Sequence, residues 1–168
     1  DWSSDVCSSD LAADVPLLAR ARAAYNAANY DQAIALAEKA LSGKTDADVA
    51  ALIVARARLE RYRLAANEAD LTQAHTTLRA IARQRLTPRE QAELLVAQGL
   101  VLYFGQSYGG AAEVFDSALA RGGFLGQPER DHLMEWWAVA LDREAQALGE
   151  ESRRAVYARV ADRMEEEL

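Results

Sequence analysis

His75 and His132 are the two histidines of the sequence and its first candidates for metal binding or proton transfer. A zinc site needs three or four nitrogen, sulfur or oxygen ligands at fitting spacing. No carboxylate stands at ligand spacing from His75 on its predicted helix. His132 follows Asp131 in a polar first helical turn, where carboxylates usually serve as caps. The pattern therefore predicts no metal site, and a solvated or half-buried position for His75.

Signatures of nucleophilic catalysis and phosphate binding are also missing. The few serines lack a nucleophile elbow or a histidine context. Gly105, Gly109 and Gly110 follow no predicted strand and precede no Lys-Ser/Thr pair, so they do not form a phosphate loop. Glu150 and Glu151 could be taken for a glycosidase pair. Two acids at a helix start are more simply explained by their favourable interaction with the helix dipole. We therefore predict that the chain is not an enzyme and has no catalytic residue, cofactor or metal ion.

Two pairs of residues allow both a structural and a binding interpretation. Arg56 and Arg63 share one flank of a predicted helix, beside its apolar stripe. Either they are solvated, with local pairing to Glu60, or they form an anion-selective part of a groove. Trp136 and Trp137 could be core residues or a binding platform. Because adjacent helical residues point in different directions, one of the two tryptophans could face a missing neighbour.

Helices are the elements that must position these residues. Valine, isoleucine and threonine are sparse and rarely alternate with polar residues, so strands are not expected. The clearest helix start is Thr87-Pro88-Arg89-Glu90, with a hydroxyl cap, a proline at the first position and a carboxylate three residues after the cap. A break at 105–107 leads to a second helix, which we expect to stop at Gly122-Gly123 with a glycine in the left-handed conformation. This stretch predicts one helical hairpin.

Three further hairpins are predicted along the chain. Asn29 and Gln32 form a second cap-and-return pair, and Asn67 can cap another helix. Segments 30–41 and 108–119 share a tyrosine, an alanine and a closing Ala-Leu pair at the same offsets, which indicates an internal repeat. The expected helices outside the hairpin at 87–123 cover residues 15–28, 29–41, 46–65, 67–85, 127–148 and 150–168.

The stretch 87–123 resembles the tetratricopeptide repeat, a helix–turn–helix unit of about 34 residues. The matching residues are Leu95, Gly99, Leu102, Tyr108, Ala111, Phe115, Ala118 and Leu119. The resemblance implies an all-α fold, a right-handed α-solenoid of about four antiparallel helical hairpins.

In such arrays the first helix of each hairpin lines the concave face. By position, this face would contain Leu18, Arg22 and Tyr25 of the first repeat and Val96, Leu100 and Tyr103 of the third, with Arg56 and Arg63 as further candidates. Arg22 and Asn26 resemble groove positions that hold peptide carboxylates in some relatives. The third repeat is apolar at the matching places, which favours a partner helix or another part of the chain.

These observations predict a non-catalytic protein–protein interaction module that binds a peptide or helix in a concave groove. The alternative is a helical accessory region of a larger enzyme or of an envelope or transport assembly. A net charge of −7 argues against a general nucleic-acid binder. No apolar run approaches the ~20 residues of a membrane span, so direct membrane insertion is not expected.

The two ends of the chain differ from its body. Residues 1–11, which contain the single cysteine, Cys7, resemble a translated sequencing adapter or a disordered Ser/Asp-rich tail, and we exclude them from the fold. Residues 12–168 are expected to form one repeat domain cut at both ends, cytoplasmic or, if a signal peptide was lost, exported. We expect self-association through the C-terminal hairpin, where Val156, Val160 and Met164 would be uncovered.

Overall fold

The computed structural model of the protein describes residues 16–41 and 46–166. Within these ranges the chain is all-α, as predicted, with no strand. The eight α-helices are α1 Leu17–Asn26, α2 Tyr30–Ala40, α3 Ala47–Ala65, α4 Glu68–Ala80, α5 Pro88–Phe104, α6 Tyr108–Leu119, α7 Gln127–Ala145 and α8 Glu150–Glu166, with 3-10 turns at Arg83–Arg85 and Gly122–Phe124. The predictions for residues 1–11 lie outside the described residues.

Each helix packs on the next one in the sequence, and α3 also packs on α1 and on α5. Helix α3 joins two apolar clusters, because it is buried on more than one side. Leu52 and Leu59 belong to the larger cluster, which extends to Phe115 and Trp137. Ile53 and Val54 belong to the smaller cluster with α1 and α2. Helix α3 is therefore buried on a second face, beyond the one apolar stripe that its sequence predicts.

The predicted helix caps at Asn29, Asn67 and Thr87 are confirmed. The Thr87 backbone N–H donates to Glu90 Oε2 at 2.9 Å, and the Glu90 N–H donates to Thr87 Oγ1 at 3.3 Å, which makes a capping box. Asn29 Oδ1 accepts from the Gln32 N–H at 3.4 Å, and Asn67 Oδ1 accepts from the Ala69 N–H at 3.0 Å. These local bonds satisfy backbone donors that the first helical turn leaves unpaired.

The first and third hairpins turn in the same way. Ala28 and Gln106 both have positive φ angles, of 57° and 63°. The next residue donates its N–H to a carbonyl of the preceding helix at 2.9 Å, from Asn29 to Ala24 and from Ser107 to Leu102. The repeat that we predicted from segments 30–41 and 108–119 thus extends to the turn before each segment.

Three local predictions are wrong. Helix α4 ends at Ala80 and not at Arg85, because the chain becomes extended at Ile81 and the Ala82 N–H donates to Asp48 Oδ1 at 2.9 Å. Helix α7 ends at Ala145, three residues before the expected Leu148. The left-handed turn residues are not glycines: among the described residues no glycine has a positive φ, and Gly122 begins a 3-10 turn.

The C-terminal hairpin covers more apolar surface than we expected. Trp137 is buried and Trp136 is half-buried. Val156 and Val160 are half-buried and pack against the larger cluster, so the expectation that they are uncovered is wrong. Met164 is exposed. Self-association through this hairpin stays a prediction, but less exposed apolar surface supports it than we expected.

Candidate functional site

The first helix of each of the four hairpins contributes to one cavity of about 410 Å³. Its wall combines side chains from α1, α3, α5 and α7 with Tyr30 at the start of α2 and with Ala28 and Leu125 from connecting segments. The lining residues are Tyr25, Asn26, Ala28, Tyr30, Arg56, Glu60, Glu93, Val96, Ala97, Leu100, Leu125, Pro128, Glu129, His132, Leu133 and Trp136. A smaller cavity of about 230 Å³ shares five of these residues and adds Arg22, Ile53 and Arg89.

One wall of the larger cavity is apolar. Leu100 and Leu133 are buried there, and Val96 and Trp136 are half-buried. The Trp136 ring lies 5.0 Å from the Tyr103 ring in an edge-to-face arrangement. Its Nε1–H donates to Nε2 of His132 at 3.1 Å. Ring packing and this hydrogen bond restrict the indole to one orientation, so the apolar wall has a defined shape.

The polar part of the lining is built on Glu93, one helical turn before Val96 on α5, and its side chain is only 4% exposed. Arg56 Nη1 donates to Glu93 Oε2 at 2.7 Å, and Arg89 Nε donates to Oε1 at 3.2 Å. Arg22 Nη1 lies 3.7 Å from Oε2. Arg89 also binds both carboxylate oxygens of Glu129, at 2.7 and 2.8 Å. The ion pairs thus connect all four first helices.

Glu90 joins the helix cap to this network. The carboxylate that completes the Thr87 capping box through Oε2 also accepts from Arg22 Nη2 through Oε1, at 2.6 Å. Three arginines and three glutamates therefore balance each other around the two cavities. Because each arginine already has a carboxylate partner, the wall carries little net charge.

Tyr25 and Arg56 line both cavities. The Arg56 guanidinium lies over the Tyr25 ring, 4.6 Å from its centroid, a cation–π geometry. Burial raises the pKa of Tyr25, and the nearby Arg56 opposes this rise only in part. Burial by itself would lower the pKa of Arg56, but Tyr25 and the Glu93 carboxylate outweigh it, so that pKa is raised. Arg56 therefore stays charged and Tyr25 stays neutral at physiological pH.

The structure brings six of the nine predicted partner-binding residues to these cavities: Arg22, Tyr25, Asn26, Arg56, Val96 and Leu100. Three lie elsewhere. Leu18 packs in the N-terminal cluster. Arg63 is itself outside the lining and makes the expected local pair with Glu60, at 2.8 Å, but Glu60 lines the larger cavity. Tyr103 contacts Trp136 but does not line the cavity.

Sequence reasoning missed the contribution of α7. Glu129, His132 and Leu133 line the cavity, although the fourth hairpin was assigned no groove residue. The sequence contained a usable signal, because the resemblance places the first helix of every hairpin on the same face. The carboxylates Glu90 and Glu93 were also missed as site residues, since they look like ordinary residues of a helix start.

Neither histidine is in a metal-binding cluster. His75 is exposed, as predicted, and His132 Nδ1 lies 3.2 Å from Glu135 Oε2. In the described ranges no group of three or more histidine, cysteine, aspartate or glutamate side chains could hold a metal ion. No helix of residues 16–41 and 46–166 is long and apolar enough to cross a membrane. The arrangement offers shape, apolar contacts and hydrogen-bonding groups to a ligand.

Comparisons with known proteins add no assignment: no protein-family model, curated protein or solved structure matches this chain.

Proposed function

We propose that this protein is a non-catalytic interaction module that binds a peptide or helix of a partner protein in the cavity between α1, α3, α5 and α7. We propose further that its hairpins form a right-handed, tetratricopeptide-like solenoid. The observation that carries the proposal is the shared cavity, to which the first helix of every hairpin contributes. A site assembled in this way can follow an extended or helical segment across several repeats.

The size and polarity of the cavity fit side chains of a bound segment. Ligand sites commonly measure about 300–1,000 Å³ and combine apolar walls with a few polar groups. Leu100, Leu133 and Trp136 supply the apolar wall, and Asn26 and Tyr30 lie among the polar groups that line the cavity. Fully burying one large apolar side chain of the partner contributes about 1.5–3 kcal/mol.

Charge is not expected to dominate recognition. Arg22 and Arg56, which we considered as contacts for a peptide carboxylate, bind Glu90 and Glu93 of the same chain. A partner carboxylate would have to compete with these internal ion pairs. We therefore expect the partner segment to be selected by its apolar side chains, with the arginines acting on the shape of the site.

Selection from a displayed library of random peptides tests this function. Peptides enriched on the parent protein are measured by titration against Val96→Asp, which puts a charge into the cavity, and against Val139→Asp as the matched control on the exposed side of α7. We expect Val96→Asp to weaken binding at least ~10-fold, equivalent to ~1.4 kcal/mol, and Val139→Asp to leave it unchanged.

Two results would reject the proposal. One is a selection in which no peptide is enriched over an unrelated helical protein. The other is a set of peptides that bind Val96→Asp and the parent equally well, because their site would then lie elsewhere. Thermal melts of both valine variants check that lost binding does not reflect unfolding.

A further inference from the structure

Glu93 is the only side chain in the described network that is approached by three arginines from three different helices. Arg22 comes from α1, Arg56 from α3 and Arg89 from α5, with nitrogen–oxygen distances of 3.7, 2.7 and 3.2 Å. The side chains of Arg22, Arg56 and Arg89 are 35%, 22% and 50% exposed, whereas that of Glu93 is 4% exposed. The carboxylate is thus buried beneath its three cations.

Such an arrangement needs the negative charge at its centre. Three guanidinium groups repel one another, and a carboxylate within hydrogen-bonding distance offsets that repulsion. Arg22 and Arg89 have second partners in Glu90 and Glu129, whereas the carboxylate that Arg56 contacts is that of Glu93. Removing one member of a buried ion pair is costly because the remaining charge is left uncompensated.

We propose that Glu93 is a positioning residue: it occupies an anion site between Arg22, Arg56 and Arg89 and thereby fixes α1, α3 and α5 around the cavity. Through Arg89 and Glu129 the same restraint extends to α7. The position of the helices, and so the width of the cavity, depends on a charge at this one place. Only the consequence for partner binding rests on the proposed function; the positioning itself can be tested without a partner.

If Glu93 occupies an anion site, a small carboxylate added in solution should be able to replace its side chain. Glu93→Ala removes the carboxylate and leaves room for a small carboxylate ion between the three arginines. Acetate carries the same carboxylate group on a single methyl and should occupy that place. Glu93→Gln keeps the size of the side chain and removes the charge, so it separates the effect of charge from that of packing. Glu113→Ala, at an exposed position on α6, is the matched control for losing a glutamate.

Thermal melts in acetate and in chloride at equal ionic strength provide the first measurement. We expect Glu93→Ala to lower Tm by roughly 6–12 °C in chloride, as for a broken, partly buried ion pair in a protein of this size. Acetate at about ten times its Kd should restore roughly 3–6 °C. The parent and Glu113→Ala should show no such difference between acetate and chloride. Glu93→Gln should lose stability without an acetate effect, and it replaces Glu93→Ala if that variant does not fold.

Distances between helices provide a readout that stability alone would not move. Spin labels on cysteines at Ala19 of α1 and Glu135 of α7, both exposed, are introduced into a Cys7→Ser background. We expect Glu93→Ala to broaden the distance distribution between the labels, and acetate to narrow it again.

Each outcome decides the inference. An unchanged Tm for Glu93→Ala and Glu93→Gln, or a fall that acetate does not reverse in Glu93→Ala, would overturn the anion site. A lower Tm with an unchanged distance distribution would show that Glu93 stabilises the fold without positioning the helices. A protein that passes both tests but binds no peptide would leave the positioning role intact and reject the proposed function alone.

Discussion

The Phe115 ring of α6 lies in the space that a side chain at Gly99 of α5 would occupy. A Cβ atom built on Gly99 would come within 2.5 Å of Phe115 Cδ1 and closer still to Cε1. Real side-chain carbons do not approach each other so closely, and Phe115 is fully buried, so a shift of its ring would disturb the core residues packed around it. The absence of a side chain at Gly99 therefore sets how near α5 and α6 lie.

Gly99→Ala should consequently destabilise the protein although alanine is the better helix former. Overpacking a well-filled core typically costs about 1–3 kcal/mol, whereas the gain in helix propensity is about 1 kcal/mol. We expect a net loss of up to ~2 kcal/mol in the free energy of unfolding, measured by urea denaturation. Gly123→Ala, at an exposed position of the second 3-10 turn with no atom near the added Cβ, is the control and should not destabilise.

The second change that tests this contact is Phe115→Leu. In the double variant the smaller leucine leaves room for the alanine, so the two losses should not add. A double-mutant cycle should give a coupling energy above ~0.5 kcal/mol. Strictly additive losses would mean that the ring moves aside and that Gly99 is not the point of closest approach.

The features that could be predicted from the sequence are those determined by residues close together in the chain. Thr87, Pro88 and Glu90 lie within one turn, and the capping box they predict is present. Gly99 was identified from the sequence because it matches one position of the repeat pattern. In both cases residues close in the sequence, or a repeated offset, contain the whole signal.

The sequence did not predict the site's ion pairs, because those depend on helix packing. Glu93 meets Arg22 and Arg56 across 71 and 37 positions of the chain, and nothing local distinguishes it from a solvated glutamate. The prediction that glycine takes the left-handed conformation was wrong for a different reason. Glycine is the usual left-handed residue, but Ala28 and Gln106 take that conformation because hydrogen bonds of the turn hold them in it.

Helix α6 receives its N-terminal acceptor from another hairpin. Ser107 makes no side-chain cap, and the Gly109 N–H donates to Glu144 Oε2 of α7 at 3.1 Å. Glu144→Ala should therefore cost about 1–2 kcal/mol, because a first-turn N–H loses its acceptor and the helix dipole loses a nearby charge. Glu144→Gln can keep the hydrogen bond and should lose less.

Urea denaturation of these variants, with the exposed Glu165→Ala as the control, checks the role of Glu144. Equal stability of Glu144→Ala and the parent would show that water replaces the carboxylate without loss.

The last prediction concerns alkaline pH and Tyr25. Burial raises the pKa of its hydroxyl above the ordinary value of about 10, with Arg56 opposing the shift and Glu60 adding to it. The folded state therefore holds a proton that the unfolded state releases. The stabilisation is complete below about pH 10 and is lost as the pH rises towards and through the raised pKa, by at most ~1.4 kcal/mol per pH unit for one proton.

Urea denaturation of the parent between about pH 7 and pH 11 should show a plateau and then a fall, and Tyr25→Phe should make the fall shallower. Some slope should remain, because the pKa of Tyr62 is raised by burial and by Glu68, and that of Tyr157 by its hydrogen bond to Asp142. Identical slopes for the parent and Tyr25→Phe would mean that the surroundings of Tyr25 open to water before its hydroxyl ionises, and that this hydroxyl is not held in a buried environment.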